Sequence, residues 1–294
     1  MPTQPPPPLL TAAQCLAWQA VHARRAAMQV AAPSGPAPPW PIHVHFHPDW
    51  LVDGCMVIEH LATQGRYRSQ FETGTSNGSY SPVTGGQRWQ WEHDWFGGAY
   101  NQAPAGERPK YGAPDVAQRA TGAAPRFGSA HLRLHHDVAL RSTFCDPDSF
   151  WQPTHWGSHA QMDWARLQCM ALADPLDRYV EAHIHGDLLM HRDVAALVLD
   201  PSHAGTPVAA WAARCGVPVE YHAGFRADAA ALAGAGEYRG ADIQAAALRL
   251  LRDCGAPALT PAALGRAQAG GDWEPSVLKK VWHCIAGLGD SSLP

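Results

Sequence analysis

The chain of 294 residues is 46% hydrophobic and 16% charged, with a formal net charge of −4. That is the composition of a globular protein long enough to bury a full core. Its mild acidity leaves no basic footprint for nucleic acid or anionic lipid. No stretch reaches the roughly eighteen apolar residues of a membrane helix. The proline run from Met1 to Leu10 lacks the basic and apolar regions of a secretory leader. The sequence therefore reads as cytoplasmic, with neither a nucleic-acid nor a membrane partner. Its seven cysteines are scattered without a C-x-x-C pair, as expected of reduced thiols rather than a zinc ribbon or a disulfide framework. Fourteen of the 17 histidines fall between His43 and His203, which marks that region for function.

Residues 11–31 read as an Ala-rich helix, and the tract Pro33 to Pro41 as a linker. From Ile42 to His47 the chain alternates strictly, with Ile42, Val44 and Phe46 on one face and His43, His45 and His47 on the other, the pattern of a strand. Pro48 stops it, and Asp49 is expected to cap a helix running to about Thr63 and ended by Gly65. Residues 65–129 hold eleven glycines and little helical period, yet their aromatics argue for order. Further strands are expected over Arg126 to His135, Ser142 to Cys145, Tyr179 to His185, Val194 to Leu199 and Val217 to His222. Helices are expected over Ser158 to Leu172, 206–215, Asp242 to Cys254, 260–269 and 275–286. The resulting division is an N-terminal helix and linker (1–41), an α+β core (42–205) and an α-rich C-terminal region (206–294).

Several segments carry residue types suited to chemistry. The row His43, His45, His47 fits either a metal site or strand histidines that hydrogen-bond their neighbours. Glu181 stands in mid-strand on the polar face of Tyr179 to His185, beside His183; it lies either on a solvated face or in a cleft. The run Gln70 to Gly78 can cradle a polar ligand or form an ordinary turn. Phe96 to Tyr100 offers an aromatic ring or plain packing. The segments from Arg108 to Gly112 and Arg126 to Ser129 offer cations for phosphate oxygens or strand edges. P-loop, dinucleotide G-x-G-x-x-G and H-E-x-x-H motifs are all missing, which disfavours P-loop NTPases and conventional dehydrogenases. GTSNG (74–78) matches G-x-S-x-G in letters, but it lies in a turn-like run with no strand before it, so a serine-hydrolase elbow is disfavoured too.

Taken together, HFHPD (45–49), YRSQFETGTSNG (67–78), FGGAY (96–100), RPKYGA (108–113), RFGSAHLRL (126–134) and YVEAHIHG (179–186) resemble a bacterial family catalogued as a domain of unknown function, over roughly residues 40–205. More distantly, the order of features is similar to the ADP-ribosyltransferase superfamily: an early strand bearing His or Arg, a middle Ser/Thr segment with an aromatic, and a late strand bearing a catalytic Glu. That likeness implies an α+β fold with a mixed, mostly antiparallel sheet and helical additions at both ends. It implies NAD as substrate, no metal, and a protein acceptor such as ubiquitin, with a bacterial effector or toxin delivered to another cell as one setting. Glu181 is then the catalytic carboxylate, with Glu72 of Gln70-x-Glu72 as the competing choice, because Tyr179 stands where a second Gln or Glu is expected. Tyr100 would stack on nicotinamide, His45 would hydrogen-bond the adenosine ribose, and Arg68 or Arg126 would hold the pyrophosphate. Thr75, Ser76 and Asn77 complete the cofactor-binding set. The other readings are a metal-dependent hydrolase built on His43, His45 and His47, and a non-catalytic interaction module.

Overall fold

The computed structural model describes residues 7, 9–28, 32–167 and 174–289. Its centre is an eight-stranded sheet: β1 (Ile42–Phe46), β2 (Lys110–Pro114), β3 (Ala130–Leu134), β4 (Ser142–Asp146), β5 (His155–Ser158), β6 (Glu181–Ile184), β7 (Val194–Leu199) and β8 (Val219–Tyr221). The strand order is β8-β7-β3-β1-β2-β6-β4-β5. Only β7 and β8 run parallel; the other six ladders are antiparallel. The chain is therefore α+β with a mixed, mostly antiparallel sheet, the architecture expected above.

The two faces of the sheet differ in chemistry, and strand alternation is the cause. Ile42, Val44, Phe46, Leu132, Phe144, Ala182 and Ile184 share one face and join the main core, over which α2 (Val57–Gln64) packs. On the opposite face His43, His45, His131, Thr143, Glu181 and His183 are aligned by register. This polar face is also buried. It is covered by α1 (Ala12–Ala27), by α3 (Gln87–Trp95) with the aromatic segment after it, and by the loop around Gly122. Trp282 of the C-terminal helix α6 (Pro275–Leu288) packs edge-on against His47. Before it come α4 (Ala241–Cys254), ended by a left-handed Gly255, and α5 (Pro261–Gly270), which build a second apolar cluster with α6.

The fold departs from expectation at four points. Asp49 does not cap a helix. Asp53 and Gly54, at φ 53° and 80°, instead turn the chain into a hairpin between Leu51–Val52 and Cys55–Met56, and α2 starts only at Val57. Helix α3 falls inside the stretch expected to be loop. Its sequence, QRWQWEHDW, has no apolar period because it buries Arg88 and Glu92 alongside Trp95. The expected helix over 158–172 is replaced by the end of β5 and a short turn, Trp164–Arg166; residues 168–172 of it lie outside the described residues. The first helix ends at Ala27, and residues 29–31 lie outside the described residues as well.

Gly128 shows how tightly the covering loop is held. A Cβ built there would lie 2.2 Å from the carbonyl carbon of Phe46. Gly128→Ala is expected to cost about 2–3 kcal/mol and to lower the thermal midpoint by several degrees. Gly35→Ala, where a Cβ meets nothing within 4 Å, should leave it unchanged.

Candidate functional site

The site begins with a split in the sheet. Strands β1 and β2 pair only at Ile42↔Pro114 and His43↔Ala113. Beyond those pairs β1 continues with β3 over residues 43–46, while β2 turns to β6 over 110–112. At the fork stands Gly112, where a Cβ would come within 2.9 Å of His43 O and of Ile42 Cγ2, so only glycine lets the strands pass this closely. A cleft of about 570 Å³ opens there, within the size range of small-ligand sites.

The cleft gathers His45, Arg68, Thr75, Ser76, Asn77, Arg126 and Glu181 from segments far apart in the chain. Two expected residues are not there. Glu72 caps a single turn, accepting from Ser69 N at 2.8 Å and pairing with Arg66 at 2.6 Å, and it does not line the cleft. Tyr100 is buried beneath the polar face, against Phe96, because Gly97 and Gly98 turn the chain back there at φ 60° and 74°. It therefore cannot stack on a ligand in the cleft.

Glu181 is the centre of the polar end. It is 5% exposed. Ser149 Oγ donates to its Oε2 at 3.0 Å and His183 Nε2 to its Oε1 at 3.0 Å. Arg88 of α3 lies 4.0 Å from the carboxylate and donates to Ser149 Oγ at 2.9 Å. Burial pushes the Glu181 pKa up, but the His183 hydrogen bond and the charge of Arg88 outweigh it, and the net shift is downward. Asp148 is the opposite case. Burial, and then the charge of Glu181, raise its pKa to about 7, although the Tyr179 hydroxyl donates to it. At neutral pH Glu181 is thus ionised while Asp148 is poised between its two forms, a division that suits acid–base work. Arg88, Asp148 and Lys279 were not identified from the sequence.

His45 has a role different from the one expected. Its Nδ1 donates to Gly128 O at 3.0 Å, and its Nε2 accepts from Ala124 N–H at 3.3 Å. With both ring nitrogens committed to backbone, His45 does not hold a ribose. It fixes the loop that carries Arg126 into the cleft. Arg126 itself pairs with Asp177 at 2.5 Å. Lys279 of α6 also lines the cleft and donates to Gly78 O; burial, then the charge of Arg126, lower its pKa to about 8. Arg68 pairs with exposed Asp53 at 3.2 Å.

Among the described residues, two clusters offer metal-type ligand atoms within 4.8 Å of one another: His43, His45 and His131, and Cys145, Glu181 and His183. In the first, His45 is spent on backbone and His43 Nδ1 accepts from Ala123 N–H at 3.2 Å, leaving His43 Nε2 and His131 Nδ1 without hydrogen-bond partners among the described residues. His47 does not join this cluster; it stacks on Trp50 at 4.1 Å. In the second, Arg88 already supplies the positive charge a cation would bring. Neither is assigned as a metal centre.

Fold and site together define an α+β protein whose split sheet holds a cleft with a carboxylate-bearing polar end. The chain belongs to the family described as a protein of unknown function (DUF3626), whose model matches residues 41–171 and 159–280. That span reaches well past residue 205 and takes in Lys279. No curated protein matches the chain. Among the described residues no helix is long and apolar enough to cross a membrane.

The buried histidines make the fold acid-sensitive. Burial lowers His43 and His47 to about 3, His22 and His203 to about 4, and His283 to about 2. Each stays neutral in the fold while the unfolded chain takes up a proton below about 6.5, so its contribution is present above that pH and lost as pH falls toward the folded value. Asp148 and Asp49, both raised to about 7, act in the opposite sense: their contribution is present at low pH and is lost as pH rises through 7. Five histidines outweigh two carboxyls. The thermal midpoint is expected to fall steadily between pH 7 and pH 5, and a flat or rising profile would contradict the burial of these rings.

Proposed function

We propose that this protein cleaves the nicotinamide–ribose bond of NAD and transfers ADP-ribose to a macromolecular acceptor. One observation carries the reading: a buried, ionised glutamate stands in a split-sheet cleft lined by Arg68, Arg126 and Lys279, with one strand between its own strand and the His43–His45 strand. Cleavage leaves positive charge on the ribose ring, and a carboxylate held without freedom to reorganise stabilises that charge. Arg88 and Ser149, which line the cleft beside it, fix the Glu181 carboxylate. The cations suit the pyrophosphate, and Thr75, Ser76 and Asn77 supply hydrogen-bonding groups along the same wall. Nicotinamide leaves as a neutral molecule, the acceptor's nucleophilic atom bonds to the ribose carbon, and its proton is released. Asp148 is the group in the cleft suited to take that proton near neutral pH. The acceptor is proposed to be a protein, with ubiquitin among those to assay and delivery into another cell as one setting.

The metal-dependent hydrolase is the competing reading; the nitrogens of His43 and His131, partnerless among the described residues, would seat it there rather than on His43, His45 and His47. Nicotinamide release from NAD, followed on purified protein of known metal content, separates the two. Glu181→Gln is expected to lower release about 100-fold or more. Glu72→Gln should stay within about two-fold, because Glu72 does not line the cleft. A chelator should change nothing. Release that survives Glu181→Gln would sink the proposal, and activity lost to the chelator would transfer it to the histidine cluster.

A further inference from the structure

Behind Glu181, on the covered face of the sheet, runs a file of side chains that the proposed reaction does not use. His183 Nε2 is 3.0 Å from Glu181 Oε1. Thr143 Oγ1 lies 3.1 Å from His183 Nδ1 and 3.1 Å from His185 Nε2. Tyr100 Oη lies 2.6 Å from His185 Nδ1. All four side chains are buried, and none of them lines the cleft.

The inventory of protons allows one consistent direction through this file. An ionised carboxylate only accepts, so His183 carries its proton on Nε2 and presents Nδ1 as a lone pair. Thr143 must then donate to that nitrogen, and its oxygen accepts from His185 Nε2–H. The Nδ1 of His185 is left to accept the Tyr100 hydroxyl proton. Every link is filled once. Reversal would place the His183 lone pair against the Glu181 carboxylate and make the Tyr100 oxygen accept from His185 Nδ1–H, leaving its own proton without an acceptor. Among the described residues that hydroxyl makes no second hydrogen bond to absorb the change. Burial lowers both histidines and raises the tyrosine, so the rings stay neutral and the phenol keeps its proton.

We propose that Tyr100, His185, Thr143 and His183 form a one-way hydrogen-bond chain that holds His183 as the Nε2–H tautomer and thereby keeps Glu181 ionised and aimed into the cleft. They are positioning residues, and the duty assigned to Glu181 rests on the NAD-cleaving reading above. Tyr100 then contributes from the buried end of the same polar face rather than from the cleft.

The tautomer can be read directly by ¹⁵N NMR of histidine-labelled protein, with no substrate present: His183 should show a protonated Nε2 and a bare Nδ1. Thr143→Val removes the middle link at nearly constant volume, Thr143→Ser preserves it, and Tyr100→Phe removes the terminal donor. In the Val and Phe variants the acid limb of the pH profile for nicotinamide release is expected to move up by about one pH unit, and kcat to fall about 10-fold with KM within about two-fold. The Ser variant should behave as wild type. The other groups facing Glu181 are unaltered in these variants: Arg88 from α3, Tyr111 from β2, Cys145 and Asp148 at the end of β4, and Tyr179 beside β6. A bare His183 Nε2 in the wild type overturns the proposal, as does a Val variant with unchanged tautomer and acid limb. Should Thr143→Val fail to fold, Tyr100→Phe, which loses one oxygen, carries the same test. If no nicotinamide is released at all, the NAD reading fails by itself. The chain is then judged on the His183 tautomer and on the Glu181 carboxyl titration, followed by ¹³C NMR in the same variants.

Discussion

The parting of β1 from β2 is the constraint on which the rest of the structure depends. Two antiparallel strands that pair at only two positions leave backbone groups without a ladder partner, which is costly unless something else uses the space. Here the gap is kept open from both sides, because β1 is committed to β3 and β2 to β6. The side chain missing at Gly112 allows the crossing at the fork. Everything suited to chemistry lies around that gap: the loop fixed by His45, the cations of α6 and of the loop before β3, and the carboxylates on β6 and after β4.

A sheet buried on both faces but polar on one is electrostatically expensive, and the histidines are what make it tolerable. A neutral imidazole fills volume like an aromatic ring and still offers one donor and one acceptor. His45 spends both on the backbone of the covering loop, whereas Phe96 meets His183 and His185 edge-on at 5.5 and 5.4 Å. Against that neutral background the ions stand out. Glu92 is held by Arg108 at 2.5 Å and by the Tyr111 hydroxyl at 2.7 Å, and Glu181 by Arg88, Ser149 and His183. Of these two buried glutamates only Glu181 borders the cleft. Burial explains the charge pairing of both; exposure to a ligand distinguishes one.

The alternation in IHVHFH and in YVEAHIH was legible, and with it the strands β1 and β6, their apolar faces and the polar row that includes Glu181. Gly65 and Gly255 likewise marked helix ends correctly, because a left-handed residue after the last turn is a local requirement. What stayed hidden depends on contacts distant in sequence. Helix α3 buries an arginine and a glutamate whose partners, Glu181, Ser149, Arg108 and Tyr111, lie 16 or more residues away, so no periodic pattern announces it. Asp148 is an ordinary loop aspartate until Glu181 is placed beside it. Lys279 belongs to a helix that reads as a C-terminal addition. Tyr100 erred the other way: an aromatic in a glycine-rich segment suits a ligand site, but the same glycines let the chain fold it under the sheet.

The C-terminal helices are better regarded as part of the cleft than as an appendage. Trp282 donates to Pro125 O at 3.0 Å and packs against His47 and Phe225, which binds α6 to both β1 and the turn that carries Arg126. One turn earlier on the same helix, Lys279 reaches Gly78 at the end of the Thr75–Asn77 segment. A helix that joins two walls of a cleft sets their spacing, and a spacing error of about 1 Å is enough to spoil a preorganised site. Removing α6 would therefore strip the cleft of one cation and of the brace between its walls at once. The family match runs on past the sheet to residue 280 and so includes the start of α6 and Lys279.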